Sequence, residues 1–187
     1  SQFNENWAFQ PEILAEYAKH YETGEAIPDS LVAKINNAGK FNQGFMTSEL
    51  CAASILDMKW HELTEEDLAK LSEGDQAANV ADFEKKVCRE MGLIDEIIPR
   101  YRTTYFNHIF NSGYSAGYYS YLWAEVLDKD AFEYFQQQGI YNPEVALKFR
   151  QTFLEKGGSE EPMTLYLSFR GAQPDPGALL RARGLTE

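Results

Sequence analysis

Four side chains able to donate a hydrogen bond to a developing negative charge crowd into one short part of this sequence: His108, Tyr114, Tyr118 and Tyr121. Grouped phenols and an imidazole suit the oxyanion that forms when a nucleophile adds to a carbonyl, the electrostatic assistance that acyl transfer needs. Their setting is unusual. Between Arg102 and Glu125 the chain runs for 22 residues with no Asp, Glu, Lys or Arg, although 25% of its residues are charged. A gap that long implies a buried or cleft-lining segment. Yet it is rich in hydroxyls and amides, which are costly to bury without partners. In a membrane span, its Asn, Ser, Thr and His residues would need partners within hydrocarbon, so a polar-lined cleft in a soluble protein fits better.

The element that positions these groups is expected to be a helix. If residues 113–125 are helical, spacings of four, three and four align Tyr114, Tyr118, Tyr121 and Glu125 on one side. Gly113, Gly117, Ser120 and Ala124 then form a small-residue side that admits a neighbouring backbone. Tyr119, Leu122, Trp123 and Val126 form an apolar side suited to the core. Two readings of the tyrosine side stay open. It is either a packing face whose hydroxyls bond backbone carbonyls, or a cleft wall whose donors, with His108, meet a substrate. The second reading sets His108 above His20 and His61.

Helical periodicity also runs through the rest, without alternating β-branched runs. The spacing predicts helices over 8–21, 30–38, 45–60, 77–91, 130–138, 162–169 and 176–182, in a single all-α unit of 1–187 with no substantial sheet. Thr64 reads as the N-cap of a short acidic helix opening at Glu65 and Glu66. Asn142-Pro143 reads as an N-cap with a first-turn proline. Asp128 and Asp130 read as helix caps. Leu50, Ile55, Leu56 and Met58 mark 45–60 as largely buried, and Phe149 and Phe153 sit one turn apart.

Composition removes several classes of function. A formal net charge of −12 repels nucleic acid and anionic membranes. Cys51 and Cys88 have no ribbon or finger spacing and read as small buried apolar side chains. His61-Glu62-Leu63-Thr64-Glu65 starts like a zinc-binding H-E-x-x-H helix but lacks the second histidine, so it reads as a helix end, and no metal ligands are assigned. No phosphate loop, serine elbow or Cys–His signature is present. The chain holds accessory donors without an evident nucleophile.

The run His108-Ile-Phe-Asn-Ser-Gly113-Tyr114-Ser-Ala-Gly117-Tyr118-Tyr119-Ser-Tyr121-Leu122-Trp123 resembles the signature of thimet-oligopeptidase-type (M3 family) zinc metallopeptidases, above all their bacterial peptidyl-dipeptidase (Dcp) branch. Ser1-Gln2-Phe3-Asn4-Glu5-Asn6-Trp7 is similar to the segment just after that family's third zinc ligand, a glutamate. Gly44-Phe45 through Ser48-Glu49-Leu50, Leu56-Asp57-Met58-Lys59-Trp60-His61 and Arg183-Gly184-Leu185 fit the same branch. The resemblance thus spans essentially the whole chain.

The resemblance implies a C-terminal, helix-rich part of a longer enzyme whose zinc-binding helix, glutamate ligand and general base lie upstream. Zinc would belong to the full-length parent, with none expected on this piece, which alone is expected to be inactive. The implied substrates are oligopeptides that lose C-terminal dipeptides, and the implied partner is the upstream part of the same polypeptide. No nucleic-acid or membrane partner is expected, and the expected location is cytoplasmic.

Carried onto this sequence, Tyr121 is the first choice for the oxyanion bond. His108 and Tyr114 are implied as further catalytic or substrate contacts, and Tyr118 as a fourth substrate-binding residue. Gly113 and Gly117 are expected to let the chain bend and pack closely. In Phe169-Arg170-Gly171-Ala172 the family often has arginine after the glycine; Ala172 stands there instead, and Arg170 reads as solvated or structural. Two readings compete: a stand-alone acidic helical module whose tyrosine face docks a peptide or partner helix without catalysis, and a peptidase relative that has lost catalysis.

Overall fold

A computed structural model describes residues 2–186. In chain order the helices are α1 Gln2–Ala8, α2 Pro11–Tyr17, α3 Asp29–Gly39, α4 Gln43–His61, α5 Glu65–Leu71 and α6 Gln76–Glu90. They continue with α7 Asn107–Phe110, α8 Ser120–Gln138, α9 Pro143–Phe149, α10 Pro162–Arg170 and α11 Pro176–Ala182. A 3₁₀ turn covers Thr103–Tyr105 and a π turn covers Arg150–Leu154. The fold is all-α, as expected. The one β feature among the described residues is an isolated antiparallel bridge between Lys19 and Ala26.

Local chemistry accounts for most boundaries. Proline opens α2, α9, α10 and α11, where its missing N–H has no intrahelical partner to lose. Thr64 caps α5 through a reciprocal capping box with Asp67. The side chains of Asp75, Asn142 and Asp175 accept from the first amides of α6, α9 and α11. Gly171 closes α10 at φ 76, a left-handed conformation that glycine adopts without Cβ strain.

Several expectations need correction. The helix expected over 8–21 is shorter: α1 already ends at Ala8, and α2 runs only from Pro11 to Tyr17, where the chain turns into the Lys19–Ala26 bridge. Within α4, Leu50 and Leu56 are buried, but Ile55 and Met58 are 40% and 38% exposed because their face is not covered. Asp128 and Asp130 do not cap a helix. Both lie inside α8, where donors distant in sequence reach them, and Lys129 also pairs with Asp128 at 3.3 Å. Asp128 accepts from Asn6, and Asp130 from Tyr166 and from Arg170 at 3.1 and 3.2 Å. Cys51 and Cys88 are free thiols, half-buried rather than buried, and desolvation pushes the Cys88 thiol up.

The chain forms two compact units, with the division falling inside α8. In the unit of residues 2–41 and 124–186, Phe132, Phe135, Val145, Tyr166 and Phe169 form the core, with Phe3 and Trp7 packed against it. Phe149 and Phe153 stack at 5.6 Å in that unit, although the turn between them widens to a π turn. In the unit Asn42–Trp123, Leu50, Ala53, Phe106, Ile109 and Tyr118 form the core. That second unit carries all four candidate donors.

Candidate functional site

The uncharged stretch is held at its start by a buried carboxylate from α6. Glu84, 5% exposed, accepts from the Thr103 amide at 2.8 Å, the Thr103 hydroxyl at 3.0 Å and Arg102 Nε at 2.8 Å. Trp60 Nε1, from α4, donates to Thr103 Oγ1 at 3.0 Å. These bonds fix the 3₁₀ turn. The apolar residues then do their part: Phe106 and Ile109 are fully buried and flank His108 on α7. Ser115 Oγ donates back to the Ile109 carbonyl at 2.6 Å, which folds the segment after α7 over its own last turn.

A second buried carboxylate, Asp57 on α4, holds the middle. Asp57 is fully buried and accepts from the Ala116 amide at 2.9 Å and the Tyr118 amide at 2.9 Å. Between these bonds Ala116 adopts φ 53. A side chain with a Cβ is strained there, so the expected helix over 113–125 is broken, and regular helix starts only at Ser120. The bend sits at Ala116 rather than at a glycine. A Cβ on Gly113 would meet nothing within 4 Å, and one on Gly117 would meet only its own turn, at Tyr114 O, 3.4 Å away. At these two glycines, among the described residues, the expected close approach of a neighbouring backbone is not found. On the apolar side, Val126 is buried and Leu122 packs on the core, but Tyr119 and Trp123 are exposed. Tyr119 precedes the helix, so helical spacing does not set its direction.

All four candidate residues nevertheless converge. The Tyr114 and Tyr121 rings stack at 5.1 Å with 15° between their planes. The His108 ring lies 5.9 Å from Tyr114, 5.5 Å from Tyr118 and 6.3 Å from Tyr121. Tyr101, which sequence reasoning passed over, lies 4.9 Å from His108 and stacks on Phe106. Only its position just ahead of the uncharged stretch hinted at it.

The four groups differ in character. Tyr118 is 2% exposed, a core ring whose phenol is pushed up by burial. Tyr114, Tyr121 and His108 are half-buried. The hydrogen bond with Tyr114, then desolvation, pushes the Tyr121 phenol up to about 12. Tyr121 therefore stays a protonated donor through the neutral range. His108 Nδ1 is buried with no hydrogen-bond partner. Placing the ring proton on Nε2 avoids an unbonded buried N–H, and leaves Nε2 as the donor.

The site offers donors and no metal cage. Among the described residues no three His, Cys, Asp or Glu side chains converge to hold a metal ion. His61 ends α4 as a helix end should, with Nδ1 2.8 Å from the Asp57 carbonyl and 2.9 Å from Asp57 Oδ1. In the other unit, Arg170 is structural: it bonds Asp130 and lies 5.3 Å over the Tyr134 ring.

This sequence matches the model of peptidase family M3 across residues 1–185. The chain belongs to peptidase family M3. The M3 chain is 44% identical over 187 residues to dipeptidyl carboxypeptidase of Escherichia coli (strain K12), which covers 99% of this chain and 26% of the relative. It is 37% identical over 185 residues to oligopeptidase A of Haemophilus influenzae, covering 99% and 26% respectively. Saccharolysin of Saccharomyces cerevisiae is 30% identical over 188 residues, 99% of this chain and 25% of the relative. The chain thus spans about a quarter of the length of the curated relatives it matches. Among the described residues no helix is long and apolar enough to cross a membrane.

Proposed function

We propose that this chain is the C-terminal portion of a larger peptidase catalytic domain and supplies one wall of its substrate cleft. Zinc, its ligands and the general base are assigned to the part of the enzyme upstream, so the isolated chain is inactive. The observation that carries this reading is the convergence of His108, Tyr114 and Tyr121 into one half-buried aromatic cluster. Membership of an M3 family supports it.

When water adds to a peptide carbonyl, the C=O π pair moves onto oxygen and needs donors there. The Tyr121 hydroxyl is assigned that bond. Its partner Tyr114 orders the ring by stacking and offers a second phenol to the peptide. His108 contributes Nε2–H from beside the pair. Tyr118 is assigned chiefly to support, since it is a core residue only 2% exposed. Similarity to a dipeptidyl carboxypeptidase favours release of dipeptides from the C-termini of oligopeptides.

The test uses the full-length protein with a free and a C-terminally amidated oligopeptide, read by mass spectrometry. Successive loss of C-terminal dipeptides from the free peptide only is the expected result. Internal cleavage of both peptides would instead favour an oligopeptidase, and no cleavage of either would refute the enzymatic reading. In the same protein Tyr121→Phe is expected to lower kcat by about one to three orders of magnitude, with KM little changed. An unchanged kcat would remove Tyr121 from the chemistry.

A further inference from the structure

We infer that Asp57 is a positioning residue for peptide hydrolysis: its buried carboxylate staples the backbone at Ala116 and Tyr118 and thereby fixes where Tyr114, Tyr121 and His108 present their donors. The inference rests on the peptidase reading above and adds a residue that touches no substrate. Asp57 sits on α4 with no exposed surface, and both of its oxygens are engaged. Oδ1 accepts from the Ala116 amide and from His61 Nδ1, each at 2.9 Å, while Oδ2 accepts from the Tyr118 amide at 2.9 Å. Nδ1 of His61 faces only acceptors, Oδ1 and the Asp57 carbonyl, so it carries the proton and completes the carboxylate's bonding.

The staple acts through the main chain. Three consecutive amides are committed: Ala116 and Tyr118 to Asp57, and Gly117 between them to the Tyr114 carbonyl at 2.8 Å. The Tyr121 amide then donates to the Tyr118 carbonyl at 3.3 Å, which carries the constraint into the first turn of α8. Ala116 holds φ 53 with a Cβ in place. A conformation of that kind persists only where its surroundings over-determine it, and the bonds on either side of Gly117 do so. Released from Asp57, Ala116 returns to negative φ and the turn that joins Tyr114 to Tyr121 opens. A reacting group displaced by about 1 Å loses roughly 10²-fold in rate.

The experiment is a double-mutant cycle in the full-length enzyme. Asp57→Asn keeps the size and one acceptor oxygen but turns an NH₂ group toward an amide N–H. Its expected effect is a kcat lower by about 10–100-fold with KM within about threefold. In a Tyr121→Phe background the same change should lower kcat by less than about threefold, because the donor it places is already gone. A full effect in both backgrounds, the mark of general damage, overturns the inference, as does an unchanged kcat. If Asp57→Asn fails to fold, Asp57→Glu keeps the charge but moves the carboxylate by one methylene relative to the Ala116 and Tyr118 amides; the cycle is then judged by the same outcomes. Wild-type protein without peptidase activity would sink the peptidase reading and this inference with it. An enzyme that responds to Tyr121→Phe but to neither Asp57→Asn nor Asp57→Glu sinks the staple alone.

Discussion

Replacing Asp130 by alanine should be among the most damaging single changes available in this chain. Asp130 is 1% exposed in the middle of α8 and serves three donors: the Tyr166 hydroxyl, Arg170 Nε at 3.1 Å and Arg170 Nη2 at 3.2 Å. Asp130→Ala leaves a guanidinium and a buried phenol without their acceptor. Removing one partner of a buried charge pair typically costs about 3–5 kcal/mol. The Arg170 side chain keeps 19% exposure, so part of its charge stays hydrated and the lower half of that range applies. Tyr166→Phe is milder. It deletes one bond to a charged acceptor and leaves the ion pair, for about 1.5–3 kcal/mol.

The two changes share one network, so they should not add. Once the carboxylate is gone, the Tyr166 hydroxyl is itself a buried unpaired group, and replacing it with Phe should be nearly neutral. Urea denaturation of the 187-residue chain, followed by far-UV circular dichroism and tryptophan fluorescence, measures all four corners of the cycle. Against the 5–15 kcal/mol typical of a folded domain, a loss of this size shifts the midpoint well beyond error. The reasoning is refuted if Asp130→Ala costs no more than Tyr166→Phe, or if the double variant shows the simple sum.

Two further outcomes follow from the same buried groups. Burial, then the bond to Asp130, pushes the Tyr166 phenol up, and Tyr121 is pushed up to about 12 by Tyr114 and desolvation, against an ordinary value of 10.0. A phenol whose folded value is raised keeps a proton that the unfolded chain loses, so this stabilisation is intact below about pH 10 and is lost as pH climbs through the folded values. Ultraviolet titration should therefore show late phenolate formation coupled to loss of helix; native protein in which all 11 tyrosines ionise near 10 would contradict it. Glu84→Gln should cost about 1–3 kcal/mol and speed hydrogen exchange at the Thr103 amide, and unchanged exchange there would remove Glu84 as the anchor of that turn.

Helices with strong end signals were legible in the residues. Pro143 after Asn142 and Thr64 ahead of two glutamates each act within a few residues, so sequence carries them. The cluster of His108, Tyr114 and Tyr121 was also legible, because one short segment supplies it. How the segment is bent was not. Residues 113–119 have an acceptable helical pattern, and only a carboxylate some sixty positions away makes the Ala116 turn preferable. Asp128 and Asp130 were misread for the same reason. Near a helix start a carboxylate ordinarily caps, and nothing local announces Asn6, Tyr166 or Arg170 as its partners. One local signal did exist for Asp57: a lone acid in the otherwise uncharged run from Cys51 to Met58, four residues before His61 and so on the same helix face.

The uncharged stretch makes physical sense once its anchors are seen to come from elsewhere. A carboxylate built into the wall that bonds an oxyanion would repel the charge it is meant to stabilise. Two like unit charges 4 Å apart at an effective dielectric of 20 repel by about 4 kcal/mol, enough to cancel one well-placed donor. The segment still needs strong acceptors, because its turns leave backbone amides that must be bonded. Asp57 on α4 and Glu84 on α6 meet that need at the Thr103, Ala116 and Tyr118 amides, with each carboxylate oxygen turned to donors in the segment or beside it. The negative charge of these two acids is thus engaged by backbone amides and by His61 and Arg102. On the proposed function, moving either acid into residues 103–124 would place a further negative charge beside the oxyanion it must not oppose.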